Sequence, residues 1–588
     1  MTDGTEHIEP AVVRTWVAET VRALGEARAR IDRANVFPVA DADTGTNLFL
    51  TVTEGARAVG EVPDGAPVDT VLLAFARGAL IGARGNSGVI LSEYLRGFAG
   101  ATTVADEPVG SLRVATRLEA AARSSYAAVA VPVPGTILTA ADGAAVAARA
   151  AAEAGADLSG VVRAARAGAH EAMLRSPREL DVLSRAGVLD AGAFGLVLVL
   201  DALCHALGAV DDGPGLGLGT RGALSVADGT MARMTSGTTG VDDVTDVTSV
   251  PAPGAALVGR TTAQASGVVV PVAGAAPGEH APVGIDGEFE VMLVVDGTDG
   301  TDGTDGTDAP APATPPLADA LRAALAQVGD SVVVVGEGVW QAHVHTDDPA
   351  RAVQAARAAA GGARGARLRQ VCVRHLATQV AARGSLHGHA LPTSGEVPEH
   401  GVVAITSAPG LVPDLARSGA VVLLATDHVP TPGEVLRVAV DTGARTVAVL
   451  PGSAGAADAA REAEGLVGQG AGDLRGIEVL DAPTDLHVVA ALAAATLGSA
   501  AADAVALMKA TLEEVRAVQV PADGTLVRPA LEGLLRADDE VLTVLPGRWV
   551  DPVVVDVVAG IARQCVPGIE VVVLDSGRDH ADLELGAE

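Results

Sequence analysis

The sequence predicts a multidomain chain: an all-α domain over residues 1–207, a linker over 208–282, an α+β middle domain over 283–380 and an α/β C-terminal domain over 400–588. Three observations carry this division. Apolar residues in the first 207 positions recur at helical spacing, and no alternating strand pattern interrupts them. Residues 208–282 are rich in Gly, Thr, Ala, Pro and Asp without a period, the composition of a linker. Strand-like runs appear only after it, and from Val402 onward they alternate with helical segments, which indicates parallel layering.

Ile8, Val12, Val13, Trp16, Val17, Val21 and Leu24 mark the first amphipathic helix, over 8–31. A second is expected to about Ala58 and a third from Val68 to Ala79. The phrase Val131-Pro132-Val133-Pro134-Gly135-Thr136 separates two further helices, and residues 139–177 are almost pure helix formers. A Gly-bearing joint from Ala186 to Gly195 opens a last apolar helix to about Leu207.

In the middle domain, Glu288 to Val295 has strand character. The Asp-Gly-Thr repeats and Pro-rich residues of 296–316 then form an insertion expected to be disordered. Leu317 to Val328 reads as a helix, 330–336 and 339–349 as two strands joined by a tight turn, and 349–360 as a helix. The strands expected further on are 402–406, 421–424, 446–450, 477–480, 540–545 and 570–574.

Length alone suggests roughly three or four domains. Nearly half of the residues are apolar but only 2% are aromatic, so the cores must be built from Ala, Val and Leu. A net charge of −32 argues against nucleic acid as the main partner. Cys204, Cys372 and Cys565 are too far apart for a disulfide framework or a CxxC metal pattern. The acidic start lacks the features of a signal peptide, and the apolar runs are broken by Asp and Gly. A cytoplasmic protein with no membrane insertion is expected.

The chemistry is densest between Asn35 and Asn47. Asp41 and Asp43 stand two apart on a short loop and can aim oxygens into one site, which suits a hard cation such as Mg²⁺. Thr44 to Asn47 follow at a helix N-terminus, where backbone amides favour phosphate. The same residues fit a plain polar turn with an Asx cap. A second small-residue loop, Gly82 to Gly88, again delivers amides to a helix start, and again a simple capping role would account for it.

The stretches NVFPVADADTGTNLFLT, GARGNSGVILSEYLRGF, VPVPGTILT and AGVLDAGAFGLVLVLDAL occur in the order and spacing of the DhaL (DAK phosphatase) domain family. They resemble above all the version in the catalytic subunit of bacterial fatty acid kinase. The resemblance implies a barrel of eight antiparallel helices that holds ATP and Mg²⁺ at one end. It implies metal ligation by Asp41 and Asp43, which would also be the catalytic residues, with Asn35 as a third contributor. Thr44, Thr46, Asn47, Asn86, Ser87 and Gly88 would meet phosphates, while Gly135, Thr136, Asp190 and Gly192 would line the nucleotide end. The family usually has Gly between the two acids, and this chain has Ala42. A left-handed backbone there would be costly for Ala.

His343 and His345 lie two apart on a strand, so both rings face one side and can bind one Zn²⁺; ordinary strand hydrogen bonds are the alternative. HVHTDDP resembles the family's middle domain, where the paired histidines share zinc with a Cys on an earlier strand. Glu288 aligns with that Cys and would be the oxygen ligand in its place. The last region resembles a DegV-like domain, with Gly452 and Ser453 where the family tends to carry paired amides.

The expected activity is therefore an ATP/Mg-dependent kinase acting on the carboxylate of a fatty acid that a separate fatty-acid-binding (DegV-like) protein presents. Residues 283–588 would give a homodimer and dock that partner. A glycerone (dihydroxyacetone)-type kinase and a non-catalytic nucleotide-binding regulator are the alternatives.

Overall fold

The structure is a computed structural model that describes residues 8–38, 40, 42–100, 110–209, 287–297, 316–361, 366–382, 397–425, 428–468, 472–496, 501–521 and 526–588. Asp41, nearly all of the expected linker and the Asp-Gly-Thr repeats beyond Gly297 lie outside the described residues.

The first region contains α1 (Pro10–Ala34), α2 (Thr44–Gly60), α3 (Val68–Ile81), α4 (Gly85–Gly100), α5 (Ser111–Ala128), α6 (Ile137–Glu153), α7 (Leu158–Glu179), α8 (Asp181–Ala186) and α9 (Ala191–Ala206). Each of α1 to α7 packs on the next, and α9 closes the ring between α7 and α1. The six-residue α8 is a connector. This is the eight-helix barrel that the sequence leads one to expect.

Trp16 anchors its interior. Its ring stands edge-on to Phe75 and Phe98 at 5.7 and 5.5 Å, and its Nε1 donates to Val199 O at 2.9 Å. One side chain of α1 thereby ties α3, α4 and α9 together, with its indole N–H satisfied in a dry core. Elsewhere small residues let helices approach closely. A Cβ on Gly168 of α7 would lie 2.2 Å from Gly143 O of α6, so that pair of helices requires glycine.

The second region contains β1 (Phe289–Asp296), α10 (Leu317–Leu325), β2 (Asp330–Glu337), β3 (Val339–Thr346), α11 (Pro349–Gly361), β4 (Arg367–His375) and α12 (Leu376–Ala382). It continues with β5 (His400–Thr406), α13 (Val412–Arg417), β6 (Val421–Leu424), α14 (Pro432–Asp441), β7 (Thr446–Leu450), α15 (Ala454–Glu464), β8 (Gly476–Val479), α16 (Asp485–Thr496) and α17 (Ala501–Glu514). All eight strands form one sheet in the order β2-β3-β1-β4-β6-β5-β7-β8. The interval between 380 and 400 is thus no break in the sheet, because β4 pairs antiparallel with β6 and Cys372 lies opposite Leu423. β5 to β8 run parallel, as their alternation with helices suggests.

Residues 516–588 form a second, four-stranded sheet from β9 (Arg516–Pro521), β10 (Val541–Pro546), β11 (Glu570–Val573) and β12 (Asp582–Ala587). Helices α18 (Val527–Leu534) and α19 (Pro552–Cys565) belong to it. The strands at 540–545 and 570–574 therefore leave the parallel layer in which the sequence pattern placed them. Here β10 pairs parallel with β11 and antiparallel with β12, so the second sheet is mixed.

One face of the large sheet rests on the helical ring. Val333 and Val335 of β2 bury against Leu80, Ala83, Val89 and Ala128. Ala130 N donates to Val332 O at 3.0 Å, and Gln341 Nε2 donates to Ile81 O at 3.1 Å. This seam sets the sheet against the loop that opens α4.

Candidate phosphotransfer site

Asn35 caps the C-terminus of α1 in an extended conformation, and Asp43 is the N-cap of α2. The Asp43 side chain makes no capping bond to the helix amides, so the Asx-cap alternative does not describe it. Ala42 has φ 54°, the left-handed backbone expected at the family's glycine position.

Across from this loop, Gly85 opens α4 with φ +54°, and a Cβ there would lie 2.3 Å from Asn47 Nδ2. A side chain there would displace the Asn47 amide, so glycine favours this close approach of the two loops. Thr44 Oγ1 and Ser87 Oγ then meet at 3.3 Å, and Asn86 Oδ1 is buried without a hydrogen-bond partner. Asn35, Asp43, Thr44, Asn47, Gly85, Asn86 and Ser87 line one wall of a partly open pocket. An oxygen-rich wall at two helix starts suits Mg²⁺ and phosphate.

The opposite wall comes from the large sheet: Glu290, His343 and His345. Strand register brings them together. Glu290 lies opposite His345 on one side and Arg374 on the other, and Met292 lies opposite His343 and Cys372. The imidazole centroids are 4.9 Å apart, and potential ligand atoms of Glu290, His343 and His345 all lie within 4.8 Å of one another. His343 Nδ1 sits 3.4 Å from Glu290 Oε1 and 2.9 Å from Met292 Sδ. His343 Nε2 and His345 Nδ1 are buried without hydrogen-bond partners, so ordinary strand hydrogen bonds do not account for the pair. Burial holds both histidines below their usual pKa, His343 far below, which leaves the rings neutral at pH 7.

Arg374 Nη2 donates to Glu290 Oε2, and both side chains are buried. Burial opposes the guanidinium charge, but Glu290, Asp43 and Asp441 outweigh it and raise its pKa. Glu288, expected beside the histidines, is elsewhere. It precedes the first residue of β1, and its carboxylate accepts from Arg417 Nε and Nη2 at 2.7 and 2.8 Å, with His375 Nε2 at 3.3 Å. The acid that joins the histidine pair is Glu290, two residues on and on the same face of the strand.

Two family models match segments of this chain. Residues 38–205 match the DAK2 domain, and residues 288–383 match the FakA-like middle domain, a family named after fatty acid kinase. The chain carries a DAK2 domain followed by this middle domain. Protein YloV of Bacillus subtilis is 41% identical over 184 residues, 31% of this chain and 33% of that protein. An uncharacterized protein of Staphylococcus haemolyticus is 40% identical over 177 residues, 30% of this chain and 32% of its own length. The matched part thus spans about a third of these curated relatives. The dihydroxyacetone kinase of C. freundii, crystallised with AMP-PNP and Mg²⁺, gives a TM-score of 0.26 at 17% identity, over 35% of this chain and 36% of that one. A DegV family protein of Corynebacterium glutamicum gives 0.23 at 14% identity, over 32% and 96%.

Within the DAK2 domain the remaining expected residues divide into three groups. Thr46 does not line the pocket. Its N–H and hydroxyl donate to Asp32 Oδ1 and Oδ2, both at 2.9 Å, and its hydroxyl accepts from Arg28 Nε at 2.9 Å. Gly88 is likewise off the wall, with its N–H on Arg84 O and Thr51 Oγ1 where a Cβ would go. Gly135, Thr136, Asp190 and Gly192 gather at a separate junction outside this pocket. Asp190 caps α9 through Ala193 N at 2.6 Å, Ser176 Oγ accepts from its N–H, and burial raises its pKa to about 7. Gly192 faces Ile137, which follows Thr136 in sequence.

Asp32, Glu290 and Arg374 were not singled out from the sequence. Glu290 is inseparable from Glu288 without strand register, and Arg374 sits on β4, whose polar residues at 369, 370 and 374 mask the strand pattern.

Proposed function

We propose that this chain is an ATP- and Mg²⁺-dependent phosphotransferase whose acceptor is the carboxylate of a fatty acid presented by a separate, DegV-like acyl-binding protein. One observation carries the reading: a single pocket is lined by the two small-residue loops of the DAK2 domain and by Glu290, His343 and His345 of the middle domain. Nucleotide phosphates on the first wall would face acceptor-handling groups on the second.

The residues present fit the ions the reading requires. Asn35 and Asp43 contribute oxygens for Mg²⁺, with Asp41 beside them in sequence. The neutral ring nitrogens of His343 and His345 and the free side of Glu290 suit Zn²⁺, which would act as a Lewis acid toward the acceptor. Arg374 fixes Glu290 in either case. Phosphoryl transfer depends chiefly on position and charge neutralisation, and an ionised carboxylate needs no general base. Docking of the acyl carrier and homodimer formation fall to residues 283–588 in this account.

Ala42 favours a second reading, a nucleotide-binding regulator, because its strained backbone abuts the metal loop. One assay separates the readings. The full chain is incubated with ATP, Mg²⁺ and a fatty-acid-loaded carrier, and acyl phosphate is trapped with hydroxylamine. Acyl hydroxamate supports the proposal; turnover with dihydroxyacetone instead, or nucleotide binding without turnover, replaces it.

A further inference from the structure

The outer side of α2 meets the large sheet's layer of helices and loops. Arg28 of α1 donates from Nε to Thr46 Oγ1 and from Nη1 to Asp473 Oδ2, at 2.9 and 2.6 Å. Asp473 precedes β8. On the other loop, Arg84 stands directly before Gly85-Asn86-Ser87. Its Nε pairs with Asp441 at the end of α14, while Nη1 donates to Gly82 O at 2.7 Å. The Arg84 and Asp441 side chains are 8% and 10% exposed, so solvent screens the pair little.

Two further features lie at the same seam. Arg437, one turn earlier on α14, is largely buried; burial first and the Arg84 charge second lower its pKa to about 10, against Asp441 and Glu54. Gly472 is wedged between Leu50 of α2 and Val440 of α14; a Cβ there would lie 3.4 and 3.5 Å from their methyl carbons.

Each candidate phosphate loop is therefore held by an arginine whose carboxylate partner belongs to the sheet layer, and neither carboxylate lines the pocket. We infer that Asp441 and Asp473 are positioning residues for nucleotide binding, acting through Arg84 and Arg28. Arg84 sets where the Asn86–Ser87 turn begins. Arg28 holds Thr46, and with it the first turn of α2. Amides bind phosphate well only when they already converge, because ordering them on binding subtracts from affinity. The inference rests on the pocket being the nucleotide site and goes beyond it: α14 and residues 472–474 become parts of that site, although they lie far along the chain from the DAK2 domain.

The test uses the full chain and two readouts. Amide hydrogen exchange without ligand reports the order of residues 44–48 and 84–88. Calorimetric titration with ADP and Mg²⁺ reports its consequence. Asp441→Asn and Asp473→Asn should each speed exchange in the loop they serve at least about tenfold and weaken ADP at least about tenfold, a difference of about 1.4 kcal/mol, with helical content unchanged. Asp473 is partly exposed, so its variant should fold even if the more buried Asp441 variant does not. Asp473→Glu should restore both readouts. Unchanged exchange in Asp473→Asn, or Asp473→Glu behaving like the Asn variant, overturns the inference. If the unaltered chain fails to bind ADP, the nucleotide reading falls, while the exchange arm still decides whether the carboxylates order the loops.

Discussion

From Asn35 to Ser87 the pocket wall consists of two loops that each enter a helix, whereas Glu290, His343, His345 and Arg374 come from three strands. The first wall is local: each loop brings its own amides and small polar side chains, and one left-handed glycine lets the loops meet. The second wall is a product of pairing. His345, Glu290 and Arg374 form one row across β3, β1 and β4, and His343, Met292 and Cys372 form the next. A local wall can be altered one residue at a time, but a paired wall carries buried charges that stand or fall together.

The largest contrast is expected at the metal loop. Asp43→Ala should weaken Mg²⁺-dependent ADP binding by at least about 100-fold in calorimetry, since loss of outer-shell partners alone costs roughly 10–100-fold. Its circular dichroism should be unchanged, because the Asp43 side chain makes no capping bond to α2. Glu290→Ala should act the other way round. It leaves the Arg374 guanidinium buried without its partner, so urea unfolding should show a loss of about 3–5 kcal/mol. A purely functional defect there would mean that the sheet wall is as local as the helical one.

This contrast also decides what the sequence reveals. The loops around Asp43 and Asn86 are legible because turn residues, caps and helix periodicity act within a few positions. The all-helical character of the first region follows from the same signals, with Trp16 visible at its helical spacing, whereas the closed ring of eight helices comes only from the family resemblance. The sheet wall is only half legible. The same-face placement of His343 and His345 follows from strand alternation, but their acid partner depends on register, which is why Glu288 was expected and Glu290 found. The continuity of the sheet through β4 was hidden for a similar reason, since buried Gln370 and Arg374 interrupt its apolar pattern. Thr46 shows the limit on the helical side: a hydroxyl at a helix start looks like a phosphate ligand until Asp32, on a separate helix, claims it.

The histidine wall and the Asp190 junction of the helical domain should answer pH with opposite sign. His343 and His345 are held, by burial first, below the ordinary value of 6.5. The unfolded chain binds more protons there, so their contribution to stability is complete above 6.5 and is lost as the pH falls. Asp190 is raised by burial from 3.8 to about 7. Its contribution is present below 3.8 and is lost as the pH rises through about 7. Urea midpoints measured over about pH 5–8 should lose acid sensitivity in His343→Gln/His345→Gln and lose alkaline sensitivity in Asp190→Asn, which keeps a capping side chain.

The smallest effect concerns backbone strain. Ala42→Gly relieves a left-handed alanine at φ 54° and should stabilise the chain by about 1 kcal/mol, offset in part by glycine's added freedom when unfolded. A thermal melt checks it. Destabilisation would show that the alanine methyl packs in a way that offsets its strain.

The claim that both walls face one pocket is tested most directly by cross-linking. In a chain carrying Ser87→Cys and His345→Cys, with the partly exposed Cys565 changed to Ser, a short-span bis-methanethiosulfonate reagent should join the two new thiols within one molecule, releasing one methanesulfinate at each. The cross-linked chain should migrate as a closed loop on a denaturing gel, and ADP with Mg²⁺ should slow its formation. Single labelling of each thiol without an intramolecular link would place the walls apart and contradict the shared site.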